Sequence, residues 1–148
     1  MKRTLINWLG LLGVVSLISY TVAVVFSPMA YPSYNWMSQA VSDLSANNAP
    51  SKMLWNRLAS LYGPCGIVSV MMVCVGVRNK LNKIIRVGIY LFAIMNWISN
   101  VGYSMFPLSD SGNPGTIQDI MHIYVITVFV VLLSVISLIT IMIGGYKE

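Results

Sequence analysis

The sequence predicts an all-α fold: a polytopic transmembrane bundle of four helices, with both termini cytoplasmic and a short interfacial helix in the first outer loop. Three observations carry that prediction. Hydrophobic residues make up 57% of the chain and charged residues 9%, against about 25% charged in a soluble domain, so the bilayer is the solvent. Mean hydropathy, at +0.75, agrees. Four continuous apolar runs, 5–26, 58–77, 87–106 and 120–143, each reach the about 20 residues that cross roughly 30 Å of hydrocarbon as a helix. The charges are also sorted. Lys2, Arg3, Arg78, Lys80, Lys83, Arg86 and Lys147 fall on one side of those runs, and Asp43, Asp110, Asp119 and the single histidine, His122, fall on the other.

One domain, 1–148, is expected, with helices at about 5–26, 55–77, 84–106 and 119–143. Strands are excluded because the runs do not alternate, and a segment in lipid must satisfy its own backbone hydrogen bonds. The connection 78–86 carries four cations and no acid, which sets it in the cytoplasm by the positive-inside rule. Lys2, Arg3 and Lys147 then lie inside, and loops 27–57 and 107–119 lie outside. Lys52 and Arg57 are the two exceptions, placed just before helix 2, where long side chains snorkel to headgroups. The first helix is expected to be retained: its apolar run is long for a signal peptide, and no good small-x-small cleavage site follows. A cytoplasmic (inner) membrane location with multiple passes follows. The net charge of +5 sits at membrane edges, so membrane lipids are the expected partners and nucleic acid is not.

The first outer loop, about 30 residues, is long for a helix connection and should carry structure of its own. Within 33–46, Met37, Val41 and Leu44 recur at i, i+4 and i+7 beside a stripe of Ser38, Ser42 and Ser45, which reads as the interfacial helix. Tyr31, Tyr34 and Trp36 add interfacial aromatics. Ser51 is a plausible N-cap for helix 2, and Gly63-Pro64-Cys65-Gly66 predicts a kink within it. Ala59, Gly63 and Gly66 offer a small-residue face for close packing. Cys65 and Cys74, nine positions apart, fall on opposite faces about 13 Å apart along the axis, so they form neither a bridge nor a metal motif. In helix 3, Asn96 and Asn100 share a face that should turn into the bundle, because amides in lipid need partners.

The second outer loop, FPLSDSGNPGTIQDIMH over 106–122, gathers the remaining chemistry. Pro107, Gly112, Pro114 and Gly115 enforce turns and leave Asp110 on a loop. Asp119 opens helix 4, where the dipole favours its charge, and His122 lies one turn deeper on the same face. A carboxylate beside an imidazole can act in general base catalysis or proton relay, and Asp110, Asp119 and His122 are weak candidates for catalysis or for holding a metal. The structural reading of the same residues has Asp119 capping helix 4, Asp110 bonding its own turn, and His122 paired with Asp119 or a headgroup.

Ser42-Asp43-Leu44 with Pro50, then Gly63, then Gly102, Phe106-Pro107-x-x-Asp110 and His122, resemble the prokaryotic membrane family catalogued as domain of unknown function 998. The resemblance runs from helix 1 to helix 4. It implies a polytopic helical membrane protein with the Ser-Asp-Leu and Phe-Pro-x-x-Asp segments on one outer side, and it brings no established activity. Members resembling this chain have six membrane helices where this sequence has four, which implies either a short member or one lacking a C-terminal helix pair.

Three functions are in contention. The leading one is a non-enzymatic membrane protein that binds a lipid or small amphipathic ligand at its outer mouth, through Ser42, Asp43, Asn96 and Asn100. The second is an intramembrane or interfacial hydrolase using Asp110, Asp119 and His122. The third is a small assembly or regulatory subunit, in which a homo-oligomer would complete the bundle. Nothing in the sequence calls for a cofactor, and none is expected. Transport is disfavoured, since no ionisable residue falls near mid-membrane.

Overall fold

The computed structural model describes residues 4–110 and 115–147. Lys2, Arg3, Gly112 and Pro114, used above for topology and turns, lie outside the described residues. Among those described, the chain is all-helical, and four helices are long and apolar enough to cross a membrane: span 1 (Leu5–Ala30), span 2 (Lys52–Val77), span 3 (Lys83–Met105) and span 4 (Ile117–Tyr146). Spans 1 and 2 pack as one hairpin, spans 3 and 4 as another, and span 2 joins span 3 across the middle.

The interior is built as the bilayer requires. Large apolar side chains such as Leu17, Phe129 and Met142 face outward, while the buried positions are mostly small or polar, with Ser16, Ser19, Ser69, Ser99 and Ser137 among them. Helices in lipid gain little by burying leucine against leucine, so close backbone approach and hydrogen bonds hold them instead. In the first hairpin Ser69 Oγ donates to the Gly10 carbonyl and Ser16 Oγ to the Tyr62 carbonyl, each at 2.6 Å. In the second, a Cβ on Gly88 or Gly144 would come within 3 Å of backbone atoms of the facing helix, so only glycine permits that approach. At the same end Asn82 caps span 3 by accepting from Ile85 N and donates to the Gly144 carbonyl at 2.8 Å. The connecting turn there passes through Asn79 at φ 67°, a left-handed position that asparagine tolerates after a helix.

Several local expectations are corrected. The interfacial α-helix does not form. Residues Val41–Ser45 make a single 3-10 turn, and 31–40 are turns and irregular chain. The reason is competition from side chains: Asn35 Oδ1 accepts from Met37 N and Gln39 Oε1 from Asn35 N, giving the backbone a local alternative to the helix. Met37 consequently stands exposed while Leu44 is completely buried, which breaks the stripe inferred from their spacing.

Helix 2 starts at Lys52, and its irregularity lies one turn before Pro64, at residues 59–61 between Lys52–Leu58 and Tyr62–Val77. Pro64 has no N–H for the Ser60 carbonyl, so the chain restarts there and proline occupies the first turn, where it is tolerated. Tyr62 N bonds to Ala59 O, leaving the Leu58 carbonyl free of its usual donor, and Ser19 Oγ supplies one at 2.6 Å. Ser51 precedes this helix without a side-chain cap; its hydroxyl donates to the Leu44 carbonyl and anchors the 3-10 turn. Span 4 begins with Thr116 as N-cap and Asp119 as the reciprocal member of a capping box, then passes through a π-helical turn at Met121–Ile126.

Candidate functional site

At the end opposite the Asn82 turn, the two hairpins part around a chamber of about 820 Å³. Its size falls within the range of small-molecule sites. The wall from spans 1 and 2 carries three aromatic rings beside Asn56 and Ser60: Tyr20 lies edge-on to Trp55, with centroids 6.0 Å apart, and tilted against Tyr62 at 4.9 Å. The wall from spans 3 and 4 is polar and carries Ser99, Asn100, Tyr103, His122 and Thr127. Residues 40–42 and 45 of the 3-10 turn region form the roof, with Asn47 and Lys52 at the rim. From His122 to Val130 the chamber follows about 12 Å of span 4.

The polar wall is held by a defined set of bonds. His122 Nδ1 sits 2.6 Å from the Phe106 carbonyl. A carbonyl only accepts, so Nδ1 carries the proton, and in the neutral ring Nε2 is left as an acceptor. The Tyr103 ring packs on the imidazole, with centroids 4.6 Å apart. The π-helical turn makes this possible: Thr127 N and Oγ1 both donate to the His122 carbonyl, Oγ1 at 2.9 Å. With its one hydroxyl proton committed there, Thr127 Oγ1 accepts from Tyr103 OH at 3.0 Å. Such π turns are common at functional sites.

Asn100 brings an amide into the chamber wall. Its Nδ2 returns to the Asn96 carbonyl at 2.9 Å, and its Oδ1 packs where Gly63 has no side chain; a Cβ there would approach to 2.7 Å. Asn96 bonds back to the Phe92 carbonyl in the same way. The partners that these amides need are therefore backbone groups of span 3 itself. Asn96 lines a separate groove of about 270 Å³ beside Ser16 and Ser69.

Of the candidate site residues named from sequence, Ser42, Asn100 and His122 line the chamber. The three carboxylates do not join them. Asp119 is fully buried and accepts from Ser109 N at 2.6 Å, from Ser109 Oγ, and from Thr116 N and Oγ1 at 3.0 and 2.7 Å. It ties the two sides of the loop together and bonds neither His122 nor a chamber group. Asp110 accepts from Asn48 Nδ2, and Asn47 N donates to the Leu108 carbonyl at 2.8 Å, so the two loops are stitched to each other. Ala46, Ala49 and Leu108 pack in a small core behind that seam. Asp43 is buried in its 3-10 turn. Burial, and next the Asp43 carboxylate, push the Tyr34 phenol above its ordinary value, and neither Asp43 nor Tyr34 lines the chamber. Among the described residues, no three His, Cys, Asp or Glu side chains form a group able to hold a metal, and Asp110, Asp119 and His122 are not brought together as a ligand set.

Sequence reasoning missed the aromatic wall. Tyr20, Trp55 and Tyr62 follow no linear motif, and their one signal is that all three lie toward the same ends of two apolar runs. No curated protein and no solved structure matches the chain. The family model described as "Protein of unknown function (DUF998)" matches residues 14–146, nearly the whole membrane bundle, and the chain belongs to that family.

Proposed function

We propose that this protein binds a lipid or small amphipathic molecule in the chamber between its two hairpins, at the extracytoplasmic side of a cytoplasmic membrane. The observation that carries the reading is the chamber itself, a cavity of about 820 Å³ with an aromatic wall facing a polar one at the end of an apolar bundle. An amphiphile has the matching division of surface. The orientation is supported by the cations Arg78, Lys80, Lys83, Arg86 and Lys147, which lie toward the opposite end from the chamber. Entry from the lipid is supported by the lack of substantial packing between spans 1 and 4 among the described residues, although Tyr20 of one and Val130 of the other both line the chamber.

Native mass spectrometry of protein released gently from membranes tests this. A bound amphiphile is expected in the wild type and should be depleted in Gly63→Leu, whose side chain would enter the chamber beside Asn100. Wild-type protein that carries and exchanges no amphiphile in any lipid mixture would refute it.

A second reading has one specific observation in its favour. The Nδ1 bond to Phe106 leaves His122 Nε2 able to take a proton, as a hydrolase acting on a lipid ester or amide would need. Hydrolysis of a chromogenic ester by wild type and not by His122→Ala would favour it over simple binding.

A further inference from the structure

We infer that the chamber selects anionic amphiphiles, with Lys52 as the counter-charge for the head group. This deepens the amphiphile reading and rests on it.

The inference begins with the two cations that break the charge sorting, Lys52 and Arg57. They share one short helix but not one environment. Arg57 is exposed and lies off the chamber wall, as a snorkelling residue should. Lys52 is half-buried at the chamber rim. Its ammonium gives a hydrogen bond to Asn47 Oδ1 at 2.6 Å, which uses one of three donors and holds the charge in place without neutralising it. The position is also not one a helix prefers for a cation, because the first turn of a helix repels positive charge.

The acids decide the sign of the site. A chamber near three aspartates could have favoured cations, but each carboxylate is withheld from it. Asp119 is enclosed by Ser109 and Thr116, Asp110 is held by Asn48, and Asp43 is buried in the roof turn without lining the cavity. Residues 111–114 are Ser-Gly-Asn-Pro and bring no charge of their own. Among the described residues, the titratable side chains lining the chamber are then Lys52, His122 and three tyrosines, with no carboxylate among them. An ammonium paired with no carboxylate among the described residues, at the mouth of a cavity with aromatic rings on one wall, favours a phosphate or carboxylate head, with the chain lying against Tyr20 and Tyr62.

Trp55 lines the same cavity and reports on it. A variant retaining it as the single tryptophan (Trp8→Phe, Trp36→Phe, Trp97→Phe) in neutral maltoside micelles would be titrated with dodecyl phosphate, dodecylphosphocholine and inorganic phosphate. Dodecyl phosphate should saturate the emission change at about tenfold lower mole fraction than the zwitterionic analogue, and inorganic phosphate should leave emission unchanged. The preference should vanish in Lys52→Gln, persist in Lys52→Arg and in Arg57→Gln, and shrink as salt is raised, a measurement that needs no substitution at Lys52. Equal response to both amphiphiles, unchanged by Lys52→Gln, would overturn the charge selection while leaving amphiphile binding intact. Saturation by inorganic phosphate alone would overturn the lipid source. No saturable response to any probe would overturn both readings together.

Discussion

Replacing Gly144 by alanine and, separately, its neighbour Gly145 by alanine applies the same chemical change to adjacent residues of span 4, and the structure assigns them opposite signs. A Cβ on Gly144 would lie 2.6 Å from Ile85 Cγ1 and 2.7 Å from Ile85 N. The side-chain atom can rotate away, but the backbone nitrogen cannot, so spans 3 and 4 must move apart. Gly145 has nothing within 4 Å of its Cβ position. Overpacking of this kind costs about 1–3 kcal/mol, while alanine for glycine within a helix contributes up to about 1 kcal/mol in its favour. The favourable contribution is common to both variants and cancels in their difference. Gly144→Ala should therefore be about 1–3 kcal/mol less stable than Gly145→Ala. Equilibrium unfolding by dodecyl sulfate in mixed micelles, followed by circular dichroism, measures that difference directly. Equal midpoints for the two variants would refute the claim that glycine-mediated backbone contact holds the second hairpin.

Two further outcomes are expected. Ser19→Ala removes the donor to the Leu58 carbonyl at the break in span 2, and should cost about 1 kcal/mol in the same assay; an unchanged midpoint would mean that another donor serves that carbonyl. Asp119→Asn presents an amide NH₂ to a cluster of donors from Ser109 and Thr116, so limited proteolysis should nick the chain within 107–116 faster than in wild type, and equal rates would show that the carboxylate is not what closes that loop.

The membrane bundle was legible in the sequence because the bilayer enforces a length and an apolarity that few other constraints match, and the runs ending at Phe26, Val77, Phe106 and Ile143 come close to the observed spans. Local geometry was less so. The helix inferred over 33–46 rested on apolar spacing, but the asparagine, glutamine and serine side chains between those positions bond to the nearby backbone and turn the chain aside. The π-helical turn left no trace, since MHIYVI contains no glycine or proline to break an ordinary α-helix, and only tertiary bonds to Phe106 and Tyr103 reveal why the register shifts.

The candidate site was legible in part for a reason that is physical. His122 and Asn100 reach the chamber because a polar group on an apolar helix is driven toward the bundle. The aspartates attracted equal notice as acids at one end, yet the buried Asp119 carboxylate takes its donors from Ser109 and Thr116 and Asp110 takes one from Asn48, all away from the cavity lining. The charge that does reach the chamber is Lys52, which entered the sequence reading only as an exception to the topology.

The most direct test of the central claim is a cryo-EM map of the protein in lipid nanodiscs, with a rigid fiducial bound for size, at a resolution that distinguishes an acyl chain. The account predicts elongated density between the Tyr20–Tyr62 wall and Asn100, with its polar end at Lys52. A chamber collapsed by direct packing of span 1 on span 4, or one holding only isolated water density, would contradict it.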